Sequence, residues 1–196
     1  MKKHLALMVA AIPLAFSVAA HGQEEQYAQG LIVDLYVVEA EDDATGPKGR
    51  SVATMVDPTP NTIGYLEPIE IEPALEQFRD KHWGLHSQGF LKVEEAGPHS
   101  FNLLLTSSDQ SMECTTWLKI QDRNVTGHEL VRYRRGNHNE YGDVTLQPGI
   151  YAFETWFGCW KVWDTLDTKP TLTINMRGPD DAMLRPIPKN QLLREL

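Results

Sequence analysis

Cysteine is scarce: Cys114 and Cys159 are the only two in 196 residues, with no CxxC spacing and no histidine cluster beside either. Redox and zinc chemistry therefore have no sequence support. Also missing are the G-x-S-x-G elbow, the H-E-x-x-H pair and the Gly-rich phosphate loop. The paired carboxylates Asp42-Asp43 and Asp180-Asp181 stand in turn-like settings, with no partner in sequence to raise one pKa as acid catalysis requires. No catalytic residue is assigned, and the expectation is a protein that is not an enzyme.

Positive charge is also in short supply, with 18 Lys and Arg against 27 Asp and Glu, a net charge of −9. Nucleic acid is excluded as a partner, because phosphate binding wants a basic stripe. The deficit is uneven: residues 23–100 hold 15 acids and 5 bases, which reads as a solvated acidic face. The basic cluster Arg132-Tyr133-Arg134-Arg135 reads as a solvated loop or strand edge.

Long apolar runs are absent beyond the N-terminus, where Met1-Lys2-Lys3 precedes 16 apolar-rich positions from Leu5 to Ala20. A bilayer span needs about 20. The basic head, apolar middle and small-residue tail are those of a bacterial export signal, residues 1–22, with cleavage after Ala20 or Gly22. No cysteine stands at that junction to take a lipid. The remainder, residues 27–193, is one domain's worth of chain. Its destination is the periplasm, cell surface or extracellular space, with no transmembrane segment in the mature chain. In that oxidising setting Cys114 and Cys159 are expected to pair, stabilising the fold by about 4 kcal/mol in the chain-entropy model.

What the chain does have is short β-patterned segments. Gly30 to Val38 is β-branched and aromatic and reads as a first strand. Residues 39–60 lack any sustained period and read as a long surface loop. Ile63 to Glu72 is limited by Pro68 and Pro73 to a short strand or edge, and Glu72 to Lys81 has the weak spacing of a helical turn. Strands follow near 85–94, 98–106, 112–120, 129–134, 143–147, 149–158 and 170–176, with turns at Gly97-Pro98 and Pro148-Gly149. The tail from Pro186 to Leu193 reads as an extended strap with an apolar plug. The fold class is all-β, a sandwich or barrel.

The order of these features resembles the protective-antigen-type (PA14) domain, an antiparallel β-sandwich found in toxins, yeast adhesins and glycosidases. The resemblance rests on Trp83, Leu85, Gly89, Phe90, Leu91, Val93, Gly97 and Phe101, on Thr106-Ser107-Ser108-Asp109-Gln110 for the family's Thr-Ser-Asp-Asp-Gly turn, and on Leu118-Lys119-Ile120. Val144 to Tyr151 and Ile187-Pro188 with Leu192 continue it. It implies a lectin-like module. In sugar-binding members two adjacent aspartates and a later asparagine hold calcium, which grips sugar hydroxyls.

Here Ser108 replaces the first aspartate and Trp156-Phe157-Gly158-Cys159-Trp160 runs where the asparagine should be. Calcium wants six to eight oxygen ligands. The expectation is therefore no resident cofactor, with Asp109 the residue a calcium ion would use, helped by Glu113, Asp122 or Asp164. Flat aromatic rings offer sugars or proteins a stacking surface, and Trp160 and Trp163 lie toward a loop. At period two, Trp156 shares a face with Trp160, and Phe157 shares the other with Cys159. The ligand-binding residues expected are Ser108, Asp109, Trp160 and Trp163. His82 and His86, with Gly84 between them, are expected on one side of a strand and too far apart for a metal. The expected function is a non-catalytic module recognising glycan or another cell-surface ligand; the alternative is a structural or assembly subunit of a bacterial envelope or pilus-like complex.

Overall fold

The computed structural model describes residues 26–57, 62–64, 81–107, 112–127, 131–133, 136–162 and 170–196. Two antiparallel sheets contain almost all of them. The larger joins β1 (Tyr27–Gln29), β2 (Leu31–Val38), β3 (Ala53–Asp57), β5 (His82–Val93), β7 (Met112–Ile120), β8 (Arg123–Gly127), β9 (Val131–Tyr133), β11 (Gly149–Val162) and β14 (Leu192–Glu195). The smaller joins β4 (Thr62–Gly64), β6 (Gly97–Ser107), β10 (Gly136–Leu146), β12 (Thr171–Arg177) and β13 (Arg185–Pro186).

Alternation along the strands explains the sandwich. Phe101, Leu103 and Leu105 of β6 and Leu172, Ile174 and Met176 of β12 point to one side. They meet Leu31, Val33 and Leu35 of β2, Trp83, Leu85 and Leu91 of β5, and Phe153 and Phe157 of β11. Two half-apolar layers thus hide their apolar faces against each other. The disulfide forms as expected: Cys114 and Cys159 are register partners on β7 and β11, and both are buried.

β5 organises the larger sheet. One edge pairs with β11 over Gly84 to Val93. The other is shared: β2 takes residues 82–88, then β14 takes Phe90 and Leu91. Gly89 sits where the two meet, and a Cβ there would lie 2.3 Å from the Leu193 carbonyl oxygen and 2.5 Å from Leu31 Cδ2. Only glycine leaves room for both neighbours at that point. The tail is a strap, as its sequence suggests: Ile187 and Leu192 plug the core and the Ile187 amide donates to Ile174 O at 3.1 Å.

Several boundaries differ from the sequence reading. Residues 39–60 are not one surface loop: Glu41–Thr45 forms a 3-10 turn and Ala53–Asp57 pairs with β2, because tertiary contacts supply the order that local pattern lacks. The strand expected at 129–134 is β9, Val131–Tyr133, and residues 123–127, given no strand in the sequence reading, form β8; the two pair with different parts of β7. The short strand expected at 143–147 begins at Gly136, its length set by pairing with all of β6. The helical turn expected at 72–81 lies outside the described residues apart from Lys81, as does the export signal. No helix among the described residues is long and apolar enough to cross a membrane.

Candidate functional site

Trp160 is the one expected ligand-binding residue within the described structure; Ser108, Asp109 and Trp163 lie outside it. Its position follows from a break in the ladder. Pairing of β11 with β7 runs evenly to Cys159–Cys114, then resumes at Lys161–Glu113, so Trp160 is the residue left without a partner. A bulge of this kind re-aims a side chain. Trp160 is half-buried and meets His82 of β5 edge to face, ring centroids 5.9 Å apart. Burial lowers the His82 pKa below its ordinary 6.5, so the ring beside the indole is neutral at pH 7.

Trp156 lies on the same side of the sheet, whereas Phe157 and Cys159 face the core, as period two requires. Unlike Trp160, Trp156 is fully buried. Its indole lies over Gly84 and Gly158, register partners whose missing side chains leave the space it occupies. The 3-10 turn closes over it: Trp156 Nε1 donates to Ala44 O at 2.7 Å, and Trp117 Nε1 donates to Thr45 O at 3.1 Å. Two tryptophans thereby pin residues 39–46 across the outer face of the larger sheet. Within the turn, Asp43 accepts the Glu39 and Ala40 amides at 3.2 and 3.0 Å. That use of a carboxylate is structural, as the turn-like setting of Asp42-Asp43 implied.

Below this N-terminal strap, residues 39–46, four strands bring together side chains that no local motif signalled. Trp117, Trp156, His86 and Asp34 lie in one row, and Lys119, Glu154, Gln88 and Ile32 in the next. His86 Nε2 is 3.4 Å from Glu154 Oε2, and Gln88 Nε2 donates to Asp34 Oδ2 at 3.1 Å. The Thr54 hydroxyl donates to the other oxygen of Asp34. Lys119 Nζ sits 4.5 Å from the Trp117 ring centroid. Burial lowers the His86 pKa below 6.5, against the raising effect of the Glu154 charge and hydrogen bond. Burial and then the Asp34 charge raise that of Tyr36. Next to this row, Ile32, Phe90 and Ala152 floor an open groove of about 240 Å³ rimmed by Gln88, Glu154 and Arg194.

His82 and His86 are on one side, as expected, and each turns to its own aromatic partners: His82 to Trp160, His86 to Trp117 at 5.7 Å. Among the described residues no group of three or more His, Cys, Asp or Glu is placed to hold a metal ion. The sequence signal for this face was the pair of glycines, Gly84 and Gly158, within otherwise strand-like segments, which marks a close approach.

Solved structures share this architecture. The PA14 domain of the antifreeze protein MpAFP superposes with a TM-score of 0.54 at 11% identity, covering 96% of each chain. This chain has the protective-antigen-type fold. The PA14 sugar-binding domain of an RTX adhesin matches with a TM-score of 0.53 at 13% identity, covering 85% of this chain and 98% of that one. The A domain of epithelial adhesin 6 from Candida glabrata, solved with Galβ1-3GlcNAc, gives 0.52 at 13% identity over 85% of this chain and 87% of the adhesin domain. At these identities the likeness is one of fold. No family model matches the chain, and no curated protein does.

Proposed function

We propose that the protein is an exported, non-catalytic binding module of the protective-antigen type that recognises glycan through the end of the sandwich carrying Trp160. The observation that carries the reading is the register slip at Trp160, which leaves a half-buried indole against a neutral imidazole at a sheet end in a fold shared with sugar-binding domains. Indole faces suit the apolar faces of sugar rings. Ser108, Asp109 and Trp163 are assigned from the sequence to the same recognition function, Ser108 and Asp109 through hydrogen bonds to hydroxyls and Trp163 by stacking. The paired cysteines and the N-terminal leader support export, with the final compartment being periplasm, cell surface or medium.

Glycan-array binding, repeated with a calcium chelator, tests this. Trp160→Ala should weaken binding about tenfold, equivalent to ~1.4 kcal/mol. If Asp109 works through calcium, Asp109→Ala and the chelator remove the same fraction of binding; if it bonds sugar directly, only the substitution does. An array with no glycan bound, together with copurification of envelope proteins, would defeat the lectin reading in favour of an assembly subunit.

A further inference from the structure

The outer face of the smaller sheet differs in composition from the rest of the molecule. Phe101, Leu103 and Leu105 of β6 turn to the core, so the residues between them, with their register neighbours on β10 and β12, form the opposite face. Three consecutive rows across these strands, from Asn137–Thr106–Thr171 to Tyr141–Asn102–Asn175, contain no charged side chain. Charge returns only in the next row, at Asp143 and Arg177. On the outer face of the larger sheet, by contrast, two neighbouring rows hold Asp34, His86, Lys119 and Glu154. A face that serves solubility alone carries charges of both signs.

The amides on this face are joined in one direction. Asn175 Nδ2 donates to Asn102 Oδ1 at 2.9 Å, and Asn102 Nδ2 donates to Asn139 Oδ1 at 3.1 Å and to the Glu140 carbonyl oxygen at 3.4 Å. Both amide hydrogens of Asn102 are thereby used. Asn102 is 3% exposed and Asn175 8%, so neighbouring side chains hold the middle of the chain in place. Its two ends stay open: among the described residues Asn175 Oδ1 receives no donor, Asn139 Nδ2 finds no acceptor, and both atoms reach solvent. Adjacent strands stand about 4.8 Å apart, which puts the open acceptor on β12 and the open donor on β10, strands about 10 Å apart on one face. Aligned amides polarise one another, which strengthens both ends.

A matching ligand must donate at one end of this chain and accept at the other, and it has no charge to pair with. An ammonium group only donates and a carboxylate only accepts, whereas a hydroxyl does both. Thr106 Oγ1 donates to Asn137 Oδ1 at 3.2 Å, which leaves the Asn137 amide hydrogens as further donors for hydroxyls. Beside the amides, the Tyr141 ring is 64% exposed and Leu104 is half-buried, apolar surface of the kind that suits the C–H face of a sugar ring. A pleated face offers breadth rather than depth, so its partner is a chain lying flat. We propose that the outer face of the smaller sheet binds an uncharged polysaccharide laid across β10, β6 and β12. This site lies on the other sheet from Trp160 and rests on its own observations.

Native gel electrophoresis of the purified protein through gels containing dextran, galactomannan or laminarin tests this, with polygalacturonate as the charged control. Retardation by at least one neutral polymer is expected, with none by polygalacturonate. Because no ion pair is involved, raising salt from about 20 to 500 mM should leave the affinity, read by calorimetry, within twofold. Tyr141→Ala should weaken binding about tenfold through loss of the ring. Asn139→Asp keeps the acceptor that Asn102 uses and removes the outward donor, so it should weaken binding severalfold with the fold intact. Each substitution is also made in Trp160→Ala, so that the indole on the larger sheet contributes nothing, and thermal midpoints confirm folding. Absence of retardation by every neutral polymer, undiminished binding by Tyr141→Ala and Asn139→Asp, or equal retardation by polygalacturonate would overturn the proposal. So would a dimer in sedimentation that Tyr141→Ala dissolves, since the face would then belong to a second copy of the chain. The two sites fail separately, because the glycan array reports on Trp160 and the gels on a protein without it.

Discussion

Gly84→Ala should destabilise the fold by about 3 kcal/mol, the opposite sign to the gain of about 0.5–1 kcal/mol that alanine ordinarily brings in a strand. The added Cβ would stand 2.1 Å from Trp156 Cη2 and 2.4 Å from Cζ2, where carbon atoms need about 3.5 Å. The indole already lies close over the Gly158 backbone, where a Cβ would stand 2.6 Å from its Nε1, so it has little room to slide across the sheet. It must lift toward the 3-10 turn Glu41–Thr45. Forcing methyls into a packed site costs about 1–3 kcal/mol, and losing the Nε1 bond leaves the Ala44 carbonyl without its donor, a further ~1–3 kcal/mol. With a urea slope of about 2 kcal/mol/M, the unfolding midpoint should fall by about 1.5 M. In a double-mutant cycle with Trp156→Leu the two costs should add to less than their sum, since the smaller side chain vacates the contested volume. A midpoint unchanged or raised in Gly84→Ala alone would refute the account of how the N-terminal strap is held.

Reduction of Cys114–Cys159, 45 residues apart, should cost about 4 kcal/mol in the chain-entropy model and is read from urea curves with and without dithiothreitol. Burial lowers the pKa of His82 and His86, so as pH falls below about 6.5 the unfolded chain binds protons first and stability drops, levelling once pH passes the folded-state values. His86→Gln should flatten part of that slope in unfolding curves taken at successive pH values. Because the Glu154 charge and hydrogen bond oppose the shift, Glu154→Gln should move the His86 titration, followed by NMR, to still lower pH. Gly89→Ala should loosen β14, detected as faster amide exchange at Leu192 and Leu193, since its Cβ collides with the Leu193 carbonyl.

Strand-forming residues were legible where both neighbours and pattern agreed. Phe101, Leu103 and Leu105 recur at period two between two turns, and 112–120 is a strand in both the sequence reading and the structure. The cysteine pair was legible because only two cysteines exist and both fall in apolar strands. The opposed faces of Trp156 and Phe157 followed from period two. Burial of Trp156 was not legible, because its cover comes from Ala44, 112 residues away in sequence.

Composition and alternation alone therefore determined that this chain makes antiparallel strands with one wet and one dry face, since those preferences act between neighbours along the backbone. Tertiary structure decided which residues meet: Asp34, His86 and Glu154 on three adjacent strands, the N-terminal strap over Trp156, and Asn175, Asn102 and Asn139 in a chain across the smaller sheet. The physical reason is register. A cross-strand neighbour is chosen by how whole strands slide and pair, and that choice is made by summed burial over the sheet.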